Sequence, residues 1–313
     1  MTHTDSAFSK DSAPTKRTIV GVDGSVPSEV AVRWAAADAA THGTALTLVY
    51  AGVASGGTQS NAPRLSGGAS SAHAHSALAT AQAVAQSVAG DSLTIETVLV
   101  STPPAEALIG YGPDARLIAL GTRGLGGLAR AVLGSVSSAV AAQAGCPVVI
   151  VPEHFDTAQV DADSAPVVVG LDHSPHDNVV LAVAFDQAAR RHVSLRMVHA
   201  FTALHPGTSF GDFVQWGPHL DPAGAAKLWM DEVAGAWTNK YPAVQVSTCA
   251  IEDYPSRVVL EMAADAQLIV IGSRSRGAIS PLFIGSTSRA VLHRAEIPTI
   301  IVPAIRGDLI GER

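Results

Sequence analysis

Three glycines in the first half of this 313-residue chain are spaced as in an anion-binding turn. Gly121 and Gly124 enclose two residues, and Gly134-Ser135 follows nine residues later. A short apolar run precedes them and a helix-like stretch follows. Glycines between a strand and a helix let backbone N–H groups converge on an anion, and the helix amino end adds partial positive charge. The pattern predicts a phosphate-binding turn.

The second half carries a changed copy of this pattern. Gly272 is followed by Ser275 where the first copy has Gly124, and Gly285-Ser286 comes nine residues after Ser275. If this position needs positive φ, a residue other than glycine costs about 1–2 kcal/mol, which corresponds to roughly tenfold in affinity. A serine hydroxyl could offset part of that loss by donating to a phosphate. We therefore expect an intact first site and an altered second one.

The duplication extends over the whole chain. The segment Ile19–Ser25 reads IVGVDGS, and Val168–Ser174 reads VVGLDHS, 149 positions later. An aspartate, Asp23 or Asp172, ends each apolar run. Repeats of this length are whole domains rather than solenoid units.

Strand and helix signals alternate after each aspartate. Thr18 to Val22 is β-branched and apolar, Ser25 is a plausible N-cap, Pro27 fits a first helical turn, and Gly43 can end the helix. In the second half Ser174-Pro175 opens the helix, and Asp177 has the place of a capping-box acid.

This alternation predicts an α/β fold of two tandem, doubly wound parallel sheets of the Rossmann-like or flavodoxin-like kind. Asp23, Ala51 and Gly121 then lie at the carboxyl ends of their strands. In open α/β sheets ligands bind at that edge, near the point where the strand order reverses. We therefore expect these three residues to meet in one crevice.

The predicted organisation has five parts. They are a disordered amino-terminal tail (1–17), a first domain (18–152), a polar, acidic linker (153–166), a second domain (167–304) and a carboxyl-terminal tail (305–313). Two segments that break the repeat, 52–71 and 201–222, are predicted to be mobile loops over the sites.

Composition excludes several classes of function. A net charge of −7 argues against a protein that binds the phosphate backbone of nucleic acids. Cys146 and Cys249 lie at unrelated points of the repeat, which favours reduced thiols. Residues 1–17 lack the apolar core of a signal peptide. The uncharged stretch 131–152 is interrupted by Gly, Ser and Pro, so a helix followed by a buried strand explains it better than a membrane span.

The spacing Gly-x2-Gly-x9-Gly-Ser, the Asp-Gly-Ser opening and the duplication together resemble the ATP-binding type of the universal stress protein family. The resemblance extends from Thr18 to Pro303. The tandem arrangement is similar to that of the two-domain members common in actinobacteria. It implies a flavodoxin-like five-stranded sheet in each half and ATP, with or without Mg²⁺, as the ligand. ATP would be bound without a Walker lysine, and the chain has no Gly-Lys-Ser/Thr element.

The resemblance also implies two sets of nucleotide-binding residues. In the first, Asp23 faces the adenosine and Ala51 lines the adenine pocket, while the residues after Gly134 donate to phosphates. The first set is Gly21, Val22, Asp23, Ala51, Leu120, Gly121, Arg123, Gly124, Gly134, Ser135, Val136 and Ser137. The second set is Gly170, Leu171, Asp172, Ala200, Ile271, Gly272, Arg274, Gly285, Ser286, Thr287 and Ser288.

Assembly and function follow from the same resemblance. The edge strands 148–151 and 299–302 are expected to pair, and two chains to form a homodimer. The expected role is a cytoplasmic, nucleotide-dependent stress-response protein rather than an enzyme, with an unnamed regulatory partner and no contact with nucleic acid or membrane. A slow ATPase with a divalent metal and a dimeric scaffold with degenerate sites are the alternatives.

Structural roles compete with these assignments. Asp23 could cap the helix that follows it, and Ser135 and Ser286 could be plain N-caps. Arg123 and Arg274 could neutralise phosphates or lie in solvent. His73 and His75 resemble a metal pair but have no acidic neighbour, and His199 has the place of Tyr50, which favours packing.

Overall fold

Alternating strands and helices form both halves in the computed structural model, which describes residues 16–52, 71–122, 124, 133–156, 161, 163–201, 222–273 and 284–304. The first half contains β1 (Arg17–Val22), α1 (Val26–His42), β2 (Leu46–Ala51), α2 (Ser71–Ala89), β3 (Ile95–Val100), α3 (Pro104–Tyr111), β4 (Ala115–Gly121), α4 (Ser135–Gln143) and β5 (Val148–Val151). The second half contains β6 (Val167–Leu171), α5 (Asp177–Arg191), β7 (Leu195–Phe201), α6 (Pro222–Thr238), β8 (Val246–Glu252), α7 (Pro255–Met262), β9 (Leu268–Gly272), α8 (Ser286–Arg294) and β10 (Thr299–Val302).

All ten strands belong to one sheet with the order β3-β2-β1-β4-β5-β10-β9-β6-β7-β8. Within each half the strands are parallel, and β5 pairs with β10 in the antiparallel sense. The predicted pairing of the two edge strands is confirmed. Because the two halves run in opposite directions, the carboxyl ends of their strands lie at opposite edges of the sheet.

The order within each half is 3-2-1-4-5, as in half of a Rossmann sheet, and not the 2-1-3-4-5 of flavodoxin. The predicted architecture of two doubly wound parallel sheets is confirmed. The order reverses between β1 and β4, so the crevice expected at this switch point lies beside the end of β1.

The strands are buried on both faces because helices cover both sides of the sheet. Val20 and Val149 pack into a core beneath α1, α2, α5 and α6, whereas Ile19 and Ile150 pack into a second core beneath α3, α4, α7 and α8. The continuous apolar runs of the sequence follow from this double coverage.

Local signals set the ends of α1. Ser25 caps the helix by accepting from the Ser28 N–H at 3.4 Å, and Pro27 lies in the first turn. Gly43 ends it with φ of 62°. The stretch 131–152 contains α4 and β5, and no helix among the described residues is long and apolar enough to cross a membrane.

A buried ionic cluster joins the two halves away from the sheet edges. Asp38 of α1 has no exposed surface and accepts from Arg116 of β4 and, at 2.9 Å, from Arg191 of α5. His42 donates to the Asp38 carbonyl at 2.8 Å and lies 3.2 Å from Asp186 of α5. Burial acts to raise the pKa of Asp38, but the two guanidiniums hold it below its usual value.

Candidate functional site

The carboxyl ends of β1, β2 and β4 come together in the first half. β1 lies between β2 and β4. Asp23 follows β1, while Ala51 and Gly121 are the last residues of β2 and β4. Gly21 and Val22 of β1 and Leu120 of β4 stand behind them, and a Cβ at Gly21 would meet the Leu120 side chain at 2.5 Å. The structure therefore brings the predicted first-half strand residues to one edge.

Asp23 is both a capping residue and a wall of this crevice. Its Oδ1 accepts from the Ser25 N–H at 2.9 Å and from the Ser25 hydroxyl at 2.6 Å. Its own N–H donates to the Ser28 hydroxyl at 3.3 Å. A Cβ on Gly124 would overlap Oδ2 of the same carboxylate. Gly124 thus lies directly against the Asp23 carboxylate.

Close approach to other parts of the fold distinguishes the two described glycines, Gly121 and Gly124. The conditional expectation about positive φ concerned position 275, which lies outside the described residues. A side chain at position 124 would displace the Asp23 carboxylate, whose Oδ1 is held by Ser25. At Gly121 a Cβ would lie 2.5 Å from the Pro27 carbonyl oxygen, because the start of α1 packs on the end of β4.

The turn leads into the amino end of α4. Gly134 is the N-cap and donates to the Thr122 carbonyl at 2.8 Å, and no side chain caps the helix. Ser135 is the first helical residue, which corrects its assignment as N-cap, and Val136 is half-buried. The uncapped first turn presents backbone N–H groups towards the crevice side of β4.

The hydroxyl of Ser137 has a structural use. It is buried and donates to the Gly121 carbonyl at 2.8 Å, which fastens α4 to β4. A hydroxyl has one hydrogen to donate. The structure thus gives this hydroxyl a partner on β4, and its expected donation to phosphate stays a prediction.

The second half repeats this frame at the opposite edge of the sheet. Gly285 caps α8 and donates to the Ser273 carbonyl at 2.7 Å, and the Ser288 hydroxyl donates to the Gly272 carbonyl at 2.6 Å. Ser286 is the first residue of α8, so Gly285 and not Ser286 is its N-cap. The remaining predicted residues border the same crevice: Gly170 and Leu171 on β6, Asp172 after it, Ala200 on β7, Ile271 on β9, and Thr287 on α8.

A carboxylate replaces a hydroxyl at the entrance of the second crevice. Asp177 has the place of Ser28 and accepts from the Asp172 N–H at 3.3 Å and the Ser174 N–H at 3.1 Å. The second of these bonds is the one that a capping-box acid makes, although the helix begins only at Asp177. Burial, and then the charge of Asp172, raise the pKa of Asp177 to about 7.

Aromatic residues border the second crevice differently from the first. His173 has the place of Gly24 and keeps its left-handed backbone, with φ of 60° against 82°. Its ring lies 4.4 Å from that of Trp229 on α6, and the His199 ring lies 4.9 Å from Trp229 on another side. His199 also donates to the Leu171 carbonyl at 2.9 Å, in line with its predicted packing role.

The second half holds a small cavity of about 80 Å³ that opens to the surface. It is bordered by the ends of β6, β7 and β9 and the starts of α5, α7 and α8. Its lining is apolar at Val198, Val259 and Ile271, and ionisable at Asp172, Asp177 and His176. An apolar lining with a few polar groups is typical of small-molecule sites.

Sequence reasoning missed Asp177 and His176 as site residues. The repeat offset that matched Asp23 with Asp172 also aligns these two with Ser28 and Pro27, and so could have indicated them.

The suggested histidine pair does not converge. The two histidines are two residues apart on α2, so their side chains point away from each other. His73 lies against Tyr50, while His75 donates to the Ser71 carbonyl at 2.7 Å. Arg123, Arg274 and Ser275 lie outside the described residues.

Comparison with known proteins shows the same duplication of the chain. The model of the universal stress protein family matches residues 14–152 and 165–303. The universal stress protein Rv2005c of Mycobacterium tuberculosis is 37% identical over 292 residues, which cover 90% of this chain and 95% of the relative. A universal stress protein of Mycolicibacterium smegmatis is 34% identical over 291 residues and covers 91% and 96%.

A solved structure gives the same fold. The crystal structure of a universal stress protein from Archaeoglobus fulgidus has a TM-score of 0.63 at 19% identity and covers 93% of this chain and 97% of that one. Since the family model matches both halves and the mycobacterial relatives align along nearly their whole length, this chain belongs to the universal stress protein family.

Proposed function

We propose that this protein is a regulatory protein of the stress response that binds ATP at the carboxyl ends of β1, β2 and β4. One observation carries the proposal: Gly124 lies so close to Asp23 that a Cβ at Gly124 would overlap the carboxylate. Asp23 and the uncapped amino end of α4 then flank the place proposed for the ligand. Such an arrangement suits a nucleoside joined to phosphates.

The donors in this crevice fit an anionic group without a lysine. The N–H groups of Ser135, Val136 and Ser137 lie in the first turn of α4, where backbone donors have no partner within the helix. Hydrogen bonds to a charged acceptor contribute about 1.5–3 kcal/mol each. Asp23, Ala51 and Gly121 would face the adenosine side, and Gly124 and Gly134 the phosphates. The phosphates of bound ATP would accept the hydrogen bonds that these N–H groups otherwise donate to water.

Mg²⁺ would come to the site on the phosphates. In the described part of the chain no group of three or more His, Cys, Asp or Glu could hold a metal ion.

We propose binding rather than turnover. Donors that hold the phosphates equally before and during reaction do not accelerate phosphoryl transfer. Chemistry would also need a positioned nucleophile and charge compensation near the terminal phosphate. ATP hydrolysis is therefore expected well below about 1 s⁻¹, the lower end of ordinary enzymes.

The proposal extends to the assembly and location of the protein. The homodimer expected from the sequence must use a surface other than β5 and β10, because these edges are paired within the chain. We place the protein in the cytoplasm, where a buried free thiol such as Cys146 stays reduced. The domain limits 18–152 and 167–304 are part of the same proposal.

Nucleotide release and calorimetry test the function. Mass spectrometry of the denatured, purified protein should detect adenine nucleotide, and ATP should bind more tightly than adenosine by several kcal/mol. Gly124→Val should abolish binding to the first site, whereas Gly110→Ala, a change on α3 with open space around it, should not. Equal affinity for ATP and adenosine would contradict the phosphate-binding turn.

A further inference from the structure

The second crevice contains a titratable group that the first lacks. In the first half the hydroxyl of Ser28 accepts from the Asp23 N–H at 3.3 Å. In the second half the carboxylate of Asp177 accepts from the equivalent Asp172 N–H, also at 3.3 Å. The same backbone position thus has a neutral partner in one half and an acid in the other.

This acid is enclosed together with a second one. Asp177 is 8% exposed, and Oδ2 of Asp172 is buried with no hydrogen-bond partner in the described part of the chain. We call Asp172 and Asp177 the carboxyl pair. Both residues line the second cavity, which also reaches Gly272 and the first turn of α8. The carboxyl pair therefore lines the same cavity as the first turn of α8, which corresponds to the proposed phosphate donors of α4.

Few other charges act on the carboxyl pair. β7, β9, α7 and α8 contribute apolar residues, Gly272 and hydroxyls to the cavity, and no ionisable group among the residues that the structure describes there. His176 at the start of α5 is the third ionisable residue, and its Nε2 donates to the Val302 carbonyl at 3.1 Å. His173 and His199 lie further out against Trp229.

We infer that the second site takes up a proton when it fills, so that adenosine phosphates bind there with one proton held by the carboxyl pair, while the first site binds them without this uptake. The inference rests on the proposed function. It makes occupancy of the second site, and not of the first, respond to acidification near neutral pH.

The sign follows from electrostatics. An anion in the cavity repels the ionised carboxyl pair, and a ligand that displaces water removes solvation from it. Both effects favour the protonated form of Asp177, so its pKa rises on binding. A ligand that raises a pKa binds more tightly as pH falls through that range. Burial and the charge of Asp172 already bring the pKa of Asp177 to about 7.

Calorimetry on the full chain can measure the effect. In Gly124→Val the first site is blocked, and the remaining heat with ATP reports the second site. At each pH, the affinity of this second site is divided by the affinity of the tighter site of the unchanged protein. We expect that ratio to rise about five- to tenfold from pH 8 to pH 6. The terminal phosphate of ATP titrates in this range too, but it does so for both sites, and the ratio removes it. Two buffers of different ionisation enthalpy should show proton uptake.

Matched variants separate the carboxyl pair from its surroundings. Asp177→Ser copies the first half, and Asp177→Asn keeps the shape of the side chain. Both should remove the proton uptake and flatten the affinity ratio. Ser28→Asp should transfer the pH dependence to the first site, whereas Ser28→Asn should not. Gly110→Ala, on α3 of the first half with open space around it, should leave the pH dependence in place.

A readout without nucleotide keeps the outcomes distinct. Carboxyl ¹³C NMR of the unliganded protein should show a group titrating near pH 7 that is missing in Asp177→Asn. If that group titrates but ATP binds to neither site, the proposed function fails and the inference fails with it. If ATP binds to the first site only, at every pH, or to both sites with the same pH dependence, the proposed function stands and the inference is overturned.

Discussion

In both halves the helix after the glycine turn is fastened in the same way, whereas the entrance to the first helix is built from different groups. Ser137 and Ser288 each donate to the carbonyl of the last residue of the preceding strand. Asp23 faces a hydroxyl at position 28, but Asp172 faces a second carboxylate at position 177. Backbone contacts that shape the turn were kept after duplication, while the charge inside the crevice changed.

The interface between the halves shows the same kind of difference. The repeat offset places Gln187 opposite Asp38, and Gln267 has the place of Arg116. Asp38 has no exposed surface and binds two arginines. Gln187 is neutral and accepts from Arg191 at 3.0 Å. One side of a nearly symmetric junction is therefore ionic and the other is neutral.

The largest expected effect comes from breaking the ionic side. Asp38→Ala leaves Arg116 and Arg191 without their buried counter-charge, which should cost about 3–5 kcal/mol of unfolding free energy. Gln187→Ala, the matched change, should cost only about 1 kcal/mol because Arg191 keeps Asp38. Urea denaturation measures both values. Equal losses would show that the charge asymmetry has no energetic consequence.

The carboxyl pair should also change how stability depends on pH. Because the pKa of Asp177 is raised to about 7 in the folded chain, its folded form binds more protons than the unfolded form between pH 4 and 7. Its contribution to stability is complete below about pH 4 and is lost as pH rises to about 7. Asp177→Asn should therefore stabilise the protein by about 1–3 kcal/mol at pH 8.

The difference between this variant and the unchanged protein should disappear as pH falls from 7 to 4. Ser28→Asp should produce the opposite shift in the first half, with a loss of stability at pH 8. Thermal unfolding followed at several pH values gives both curves. A stabilisation that is the same at pH 4 and pH 8 would point to packing and not to ionisation.

The glycine turn provides a smaller effect on binding. Gly124→Ser places a Cβ against Asp23 and should weaken ATP binding at the first site about tenfold, or about 1.4 kcal/mol. Since the reason is collision with the carboxylate, Asp23→Gly added to Gly124→Ser should relieve the collision. Titration calorimetry with the single and double variants tests this. Independent, additive losses would show that the two residues do not meet.

Signals that act over a few residues predicted much of this molecule. The β-branched run before Asp23, the capping hydroxyl of Ser25 and the glycine after α1 each specify structure locally, and the structure has them as expected. The pairing of β5 with β10 was predictable because both edges are short and apolar, and unpaired edges are avoided.

Contacts between distant segments could not be predicted in this way. A side chain at Gly121 would collide with the Pro27 carbonyl, nearly a hundred positions earlier in the sequence. The hydroxyl of Ser137 donates to a carbonyl on another element. The ionic cluster at Asp38 depends on how the two halves pack. The exchange of Ser28 for Asp177 was visible in the repeat, but its consequence depends on burial, which only the fold provides.

The smallest expected effect concerns the ends of α1 and α5, which differ by one residue type. Gly43 and His192 both end their helices with left-handed backbone, with φ of 62° and 57°, and each N–H bonds to carbonyls of the last turn. Glycine adopts this conformation without strain, whereas a side chain does not. Gly43→Ala should therefore cost about 1 kcal/mol, although nothing lies within 4 Å of its added Cβ. His192→Gly should stabilise by about 0.5 kcal/mol, since greater freedom of glycine in the unfolded chain offsets part of the relieved strain. Chemical denaturation of the two variants measures both changes in stability. A loss of stability in His192→Gly would show that the histidine makes a contact worth more than its strain.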